Sequence, residues 1–450
     1  MSTLHILWDE AHIWGLLVVR AVRAFGVSHR IVSARQVAEG ILQHEKPAML
    51  MVPGGNARGK SLALGEAGRE AICQYVREGG HYLGFCGGAG LALTWDGTSE
   101  AEHRTASPKG PAANGLGLCP WGRGTFDDRL QHFMSGHLHS RLAKKADLPP
   151  HAARLLPDDL GPSLENPGPA EKHHSDSEYP LLPVWWPGHF SATEGKDVHI
   201  LAAYEKPGPD FWLTDLPIRA IPLEIFTAWK EKYGFSPRPT FLENQPAIIT
   251  CAHGKGTCTL SYSHLETPAS PQANGWLAYL LEELAGLAPT TRLVPPWHDG
   301  PILWNDPDLA RIEDDIETVV ACGLEHGLLF KRNDWLLGWR TGIPGSNINN
   351  VHSLVRILRR IPPTAEARDL LSTNLATLRP LAARFKQEGV EYLLTERLSQ
   401  TLTRTLPDML PPSVLKKQRA ALFGPPMRAG GIYLELLDIL DAIACAQLAV

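Results

Sequence analysis

The stretch from Met49 to Leu93, MLMVPGGNARGKSLALGEAGREAICQYVREGGHYLGFCGGAGLAL, carries the pattern that decides the fold. The apolar run Ala48 to Val52 is cut off by Pro53-Gly54-Gly55 and reads as a buried strand. Glu66 to Arg77 has helical spacing and stops at Gly79-Gly80. A second strand, His81 to Phe85, then runs straight into Cys86-Gly87-Gly88 and the start of another helix. A nucleophilic side chain on a sharp strand-to-helix turn, with glycines around it, is a mechanical arrangement. The strained turn pushes the side chain out of the sheet, and the glycines let a substrate approach.

The pattern extends in both directions. Leu4 to Trp8 reads as a first strand, Ile13 to Phe25 as a helix ending at Gly26, His29 to Ser33 as a strand and Val37 to Leu42 as a short helix. Strands alternating with helices at this pitch predict an α/β fold with a flavodoxin-like, doubly wound, mostly parallel sheet and helices on both faces. Such sheets place their chemistry at the carboxyl ends of the strands. Between about 95 and 180 the pattern dissolves into Pro, Gly, Asn and Ser, which predicts an irregular insertion of loops. Strand-like runs return at His199 to Tyr204, Ala247 to Cys251 and Thr257 to Ser261, and a helix from Asn274 to Leu284 closes the domain, bounded at 1–288. Beyond Pro295-Pro296 the periodicity is helical throughout. Ile312, Ile316, Val319 and Val320 share one face, as do Leu371, Leu375, Leu378 and Phe385, and later Leu436, Leu440 and Ile443. Residues 289–450 are therefore expected to form a second, mainly helical domain whose role the sequence does not give, a protein partner being one option.

Whole-chain properties agree with two folded domains. The chain has 450 residues, of which 44% are hydrophobic and 20% charged, with a formal charge of −5. That balance excludes disorder of the whole and argues against nucleic-acid binding through bulk positive charge. The seven cysteines are scattered and include no CxxC pair, so neither a disulfide framework nor a zinc ribbon is implied. The first residues carry acids where a signal peptide carries lysines, and no unbroken apolar run has membrane-spanning length. A cytoplasmic protein without membrane contact is the expectation.

The chemistry centres on Cys86. A helix starting at Gly87 points its N-terminus at the thiol, which favours thiolate. The Gly87 amide and those of Gly54-Gly55 on the neighbouring strand end are candidate donors to an oxyanion. In SYSHLETP, residues 261–268, His264 follows a predicted strand and Glu266 follows it by two. One loop can then present an imidazole as base and a carboxylate to orient it.

The order PGG, G-x-C-x-G and, about 180 residues on, H-x-E resembles the class I glutamine amidotransferase-like superfamily. The text is most similar to the N-terminal domain of biotin protein ligases and its stand-alone bacterial relatives. VPGGNARGKSLALGEAGREAICQYVREGGHYLGFCGGAG carries that likeness, together with PVWWPGHF, ILAAYEKPG and AIITCAHGKGTCTLSYSHLE. The resemblance covers residues 1 to about 285, most weakly between 95 and 180. It implies Cys86 as nucleophile, His264 as base and Glu266 as its orienter, but no substrate; the triad itself sets the expectation of acyl transfer, without a cofactor, on a small-molecule amide or ester. Two positions depart from the glutaminase pattern. Ala89 stands where those enzymes carry Gln, and Leu265 where their loop carries Pro. The glycine-arginine-rich biotin-binding run is absent, since WGRGTF (121–126) is too short to supply it. The alternative expectation is a catalytically silent binding or regulatory module built on the same pocket.

Other motifs compete. Gly54 to Ser61, GGNARGKS, fits the phosphate-loop expression, and Asp9 to His12 spells DEAH after a strand. The acidic strand precedes the loop, in the reverse of the usual order. Gly65 and Gly68 interrupt the helix that should begin at Lys60, which makes Lys60 a solvated loop residue. His132, His137 and His139 with Cys119 match no standard zinc spacing, and His173-His174 belongs to the same kind of polar loop, so no metal is expected. Trp121, Trp185, Trp186 and Trp212 are expected to pack rather than form a stacking platform. Arg404, Lys416, Lys417, Arg419 and Arg428 are expected to form a solvated face.

Overall fold

The computed structural model describes residues 3–95, 114–124, 134–160, 179–193, 197–234, 236–340, 344–406, 409–425 and 429–449. The chain divides into two compact units, Met1–Pro296 and Trp297–Val450.

The first unit is an α/β fold. Its opening elements are β1 (Leu4–Leu7), α1 (Ile13–Ala24), β2 (His29–Val32), α2 (Ala34–Ala38), α3 (Ile41–Glu45), β3 (Met49–Val52), α4 (Ala57–Arg77), β4 (His81–Phe85) and α5 (Gly87–Ala92). The strands β5 (Gly122–Gly124), β6 (Met134–Leu142), β7 (Leu181–Trp185), β8 (His189–Ser191) and β9 (Val198–Pro207) follow. After them come β10 (Trp212–Leu213), β11 (Leu216–Pro217), β12 (Pro246–His253) and β13 (Gly256–Ser261), and then the helix Pro271–Ala285. Among the described residues the main sheet runs β11-β10-β6-β9-β12-β13-β4-β3-β1-β2, with β7 on β6. Its parallel half, read in chain order, has the strand order 2-1-3-4-5, which is the flavodoxin-like arrangement. The antiparallel half extends it from β13 through β12, β9 and β6.

Side chains alternate across the sheet, so Leu7, Leu50, Val52 and Tyr82 face one layer, where they pack with Val37, Leu64, Ile72, Val76 and Leu91. Ile6, Met49, Met51 and Leu83 face the other and are also fully buried. A strand covered on both faces reads as an unbroken apolar run, which is why these strands were legible.

Several local features differ from the sequence expectation. Helical structure after the Pro-Gly-Gly turn begins at Ala57, capped by the Asn56 side chain accepting from the Gly59 amide, and it is broken at Gly65 (φ 60, ψ −166) rather than prevented there. Lys60 is fully buried, not solvated, and its Nζ donates to the Asp9 carbonyl at 2.7 Å. The region expected to be irregular contributes β6, a nine-residue strand of the main sheet. Its sequence, MSGHLHSRL, mixes histidines, serines and a glycine into the alternation, and burial against β7 and β9 overrides that weak propensity. The unit also continues past residue 288. The Thr290 amide donates to Phe25, and Val294 is buried with its amide on Asn274 Oδ1.

The second unit holds the helices Pro307–Glu325, Pro344–Arg360, Ala365–Thr405, Pro412–Phe423 and Gly431–Leu448, and a short hairpin of β14 (Leu329–Lys331) and β15 (Leu337–Trp339). Ile312, Ile316, Val319, Val320, Leu371, Leu378, Phe385, Leu436, Leu440 and Ile443 are all buried, as their helical spacing requires, and Leu375 is half-buried. Lys416 and Lys417 lie on the helix Pro412–Phe423; the Arg404 side chain and Arg428 lie outside the described residues. Among the described residues no helix is long and apolar enough to cross a membrane.

Candidate functional site

The strand registers bring one set of turns to the same edge of the sheet. Val52 pairs with Gly84 and Phe85 with Ser261, so Pro53-Gly54, Cys86 and Tyr262 leave the sheet side by side at its carboxyl edge. The turn after β1 joins them. Glu10 (φ 57) and His12 (φ 48) occupy left-handed conformations, and the Glu10 carbonyl accepts from the Asn56 amide at 3.3 Å.

Cys86 itself has φ 46 and ψ −105, a strained conformation for a non-glycine residue, and its amide is tied to the Ser261 carbonyl at 2.8 Å. The glycines permit this packing. A Cβ on Gly87 would lie 1.9 Å from the Gly55 carbonyl oxygen, and one on Gly55 would lie 2.0 Å from that of Glu10. These turns interlock through backbone alone. The thiol remains partly exposed while the surrounding residues Phe85, Gly87 and Gly88 are buried.

His264 and Glu266 are both fully buried in the loop after β13, with Glu266 Oε1 2.7 Å from His264 Nδ1. Every part of that loop is held. The His264 amide donates to Pro183 at 2.8 Å, and the Thr267 hydroxyl to the His264 carbonyl. Trp185 Nε1 donates to Thr267 Oγ1, while Asn274 Nδ2 donates to the carbonyls of Leu265 and Thr267. Trp14 lies against the imidazole, ring centroids 4.5 Å apart, and meets Trp186 edge-on at 5.5 Å. Held this way, the imidazole keeps Nδ1 on the carboxylate and leaves Nε2 without a hydrogen-bond partner, although ring and thiol are close enough to shift each other's titration.

Burial pushes the Cys86 thiol up, but His264, the charge of Arg123 and the Gly87 amide outweigh it, and the net shift is below the ordinary thiol value. For His264, burial alone would lower the pKa. Glu266 and Cys86 reverse that and carry it above the ordinary imidazole value. The two shifts have one meaning: a thiolate-imidazolium pair is favoured over neutral thiol and imidazole. Among the described residues, the amides of Gly54, Gly55 and Gly87 donate to no backbone carbonyl outside regular elements.

The structure thus gathers all six residues singled out from the sequence at one edge. Trp14, Tyr262 and Arg123 went unrecognised beside them, and Trp186, expected only to pack, meets Trp14 there. Tyr262 is buried with its hydroxyl unpartnered, and Arg123 sits in the WGRGTF segment that carried no periodic signal. The phosphate-loop reading fails on the same geometry. Lys60 and Ser61 are both fully buried, and the Ser61 hydroxyl donates to the Asn114 carbonyl at 2.7 Å. The Asp9 carboxylate accepts from the Ala34 amide at the start of α2. Of the histidines weighed as metal ligands, His137 bonds to Asp210 (3.0 Å) and Ser270 (2.9 Å), and His139 contacts the Tyr179 carbonyl. His132, His173 and His174 lie outside the described residues.

Comparison with known proteins agrees with the strand-and-cysteine segment. Residues 28–94 match the family model described as biotin-protein ligase, N terminal, a stretch that runs from the residue before β2 through Cys86 and α5. The resemblance to the class I glutamine amidotransferase-like superfamily therefore stands on that segment and on the 2-1-3-4-5 strand order. No curated protein matches the chain. Among solved structures, PurLQS from Thermotoga maritima is 11% identical with TM-score 0.33, covering 62% of this chain and 98% of its own. A protein described as a candidate GMP synthase subunit, from Thermoplasma acidophilum, is 11% identical with TM-score 0.31, at 64% and 95% coverage. A beta-galactosidase from Bacillus circulans is 11% identical with TM-score 0.30, at 64% and 32% coverage. At these scores they add nothing to the topology read from the strands.

Proposed function

We propose that the chain is a cysteine-dependent amidohydrolase or amidotransferase-like protein, with Cys86, His264 and Glu266 acting as a triad on a small-molecule amide or ester. The observation that carries the reading is the buried 2.7 Å pair between His264 Nδ1 and Glu266, with Nε2 left for the Cys86 thiol. The thiolate attacks the carbonyl carbon, and the electron pair moves onto the carbonyl oxygen. The amides of Gly87 and the Gly54-Gly55 turn hold that oxyanion. Imidazolium protonates the leaving amine or alcohol as the carbon–heteroatom bond breaks, leaving a thioester on Cys86. His264 then takes a proton from water as the water oxygen attacks the thioester, and acid and free thiolate are released.

The chemistry differs from that of a biotin ligase, since the sequence lacks the biotin-binding run. The test is a panel of amides and esters with ammonia or acid release followed in wild type and Cys86→Ala. Turnover of any member that disappears in Cys86→Ala supports the proposal. A silent panel, with Cys86 alkylated no faster than Cys322 or Cys445, overturns it in favour of a binding or regulatory module.

A further inference from the structure

We propose that Arg123 makes the site beside Cys86 select an anionic substrate, one carrying a carboxylate near the amide or ester that the thiol attacks. The inference rests on the reading of Cys86 as nucleophile and adds the substrate class to it.

The placement follows from register. β5 pairs with β8 antiparallel, and Arg123 stands directly opposite Phe190. Residues directly opposed in an antiparallel ladder carry their side chains on the same face. Phe190 packs on Tyr262, ring centroids 4.6 Å apart, and Tyr262 follows Ser261, the residue whose carbonyl holds the Cys86 amide. Arg123 therefore emerges on the face where Phe190 meets Tyr262, one residue beyond the anchor of the cysteine turn. Its charge reaches both the Cys86 thiol and the Tyr262 hydroxyl.

Two observations on this face point to a ligand. Arg123 is exposed and, among the described residues, no carboxylate compensates it. The Tyr262 hydroxyl is buried without a partner, a state that costs folding free energy unless something else satisfies it. A carboxylate answers both, since it accepts from a phenol and from a guanidinium, the latter in a charge-assisted bond. Glu266, the acid of the triad, is committed to His264. A cationic group in the same position would meet Arg123 and the imidazolium together.

The test uses two alkylating agents of nearly the same shape, iodoacetate and iodoacetamide, on the full chain. Second-order rates at Cys86 are read by mass spectrometry, with the partly exposed Cys322 and Cys445 as internal references. A thiolate alone repels iodoacetate, so the ratio of iodoacetate to iodoacetamide rates reads the cations beside it. The change of that ratio between wild type and an Arg123 variant isolates Arg123 from the His264 imidazolium. The ratio at Cys86 should exceed the reference ratio about fivefold, the size of one unit charge acting at contact range in a water-like medium. In Arg123→Gln it should fall by the share Arg123 contributes, leaving the smaller excess due to the His264 imidazolium, and it should stay raised in Arg123→Lys. A ratio at Cys86 equal to the references, or unchanged in Arg123→Gln, overturns the assignment of Arg123. That failure is distinct from failure of the nucleophile, which would appear as slow iodoacetamide labelling indifferent to His264→Ala.

Discussion

Replacing Glu266 by Gln keeps the shape of the side chain and removes its charge, so it isolates what the buried carboxylate does. Glu266 and His264 are fully buried and 2.7 Å apart, and no solvent screens the pair. Unit charges about 4 Å apart at an effective dielectric of about 20 interact by about 4 kcal/mol, or roughly three pKa units at 1.36 kcal/mol each. The glutamine carbonyl still accepts from Nδ1, so a fall of roughly one to two units for His264 is the sounder expectation. Cys86 then loses the cation that holds its thiol below the ordinary value. The signs of the two shifts set the pH window. The thiolate is lost as pH falls through the lowered value of Cys86, and the imidazolium is lost as pH rises through the raised value of His264. The reactive pair exists between them, and Glu266→Gln narrows that range from both sides. The assay is the iodoacetamide rate at Cys86 between about pH 5 and pH 9.5, with thermal unfolding confirming that the variant is folded. The thiol midpoint should rise by at least about one unit, and labelling near pH 6.5 should slow roughly tenfold. A folded variant whose midpoint moves less than about 0.3 unit would refute the coupling of carboxylate to thiol.

Three further outcomes are expected. Gly87→Ala should abolish fast Cys86 labelling, because its Cβ would lie 1.9 Å from the Gly55 carbonyl oxygen. Gly90→Ala meets only Ala57 at 3.5 Å and should keep that labelling while adding up to about 1 kcal/mol of helix stability; equal behaviour of the two in labelling and unfolding contradicts this account of the turn. Lys60→Met should lower stability by about 1–3 kcal/mol in chemical denaturation, since it leaves the Asp9 carbonyl without its buried donor, and ATP or GTP should not protect wild type from heat. A fragment ending at Pro296 should unfold cooperatively, and one ending at residue 288 should be less stable by about 1.5–3 kcal/mol for the loss of buried Val294 alone. Denaturant midpoints that coincide for the two fragments would show that residues 289–296 contribute nothing to the first unit.

The parallel half of the sheet and the second unit's helices were legible in the sequence because burial writes directly into it. A strand covered on both faces must be apolar throughout, as LHIL and MLMV are, and a packed helix must repeat its apolar residues every three or four positions, as Ile312, Ile316 and Val319 do. The cysteine turn was legible for a related reason: a backbone carbonyl 1.9 Å from where a side chain would begin admits only glycine, so the spacing of glycines around Cys86 records the close approach of two turns. Other features had no such local signature. β6 is a strand only because β7 and β9 flank it, and its own residues are nearly neutral between strand and loop. Lys60 looked solvated because lysine usually is; a carbonyl 51 positions earlier in the chain gives its ammonium a partner in the interior. Arg123 reaches the neighbourhood of Cys86 only through the pairing of β5 with β8 and the stacking of Phe190 on Tyr262. Residue type and short-range spacing fix what each segment buries, but which distant charges face one another depends on the register of strands far apart in sequence, and that only the folded chain decides.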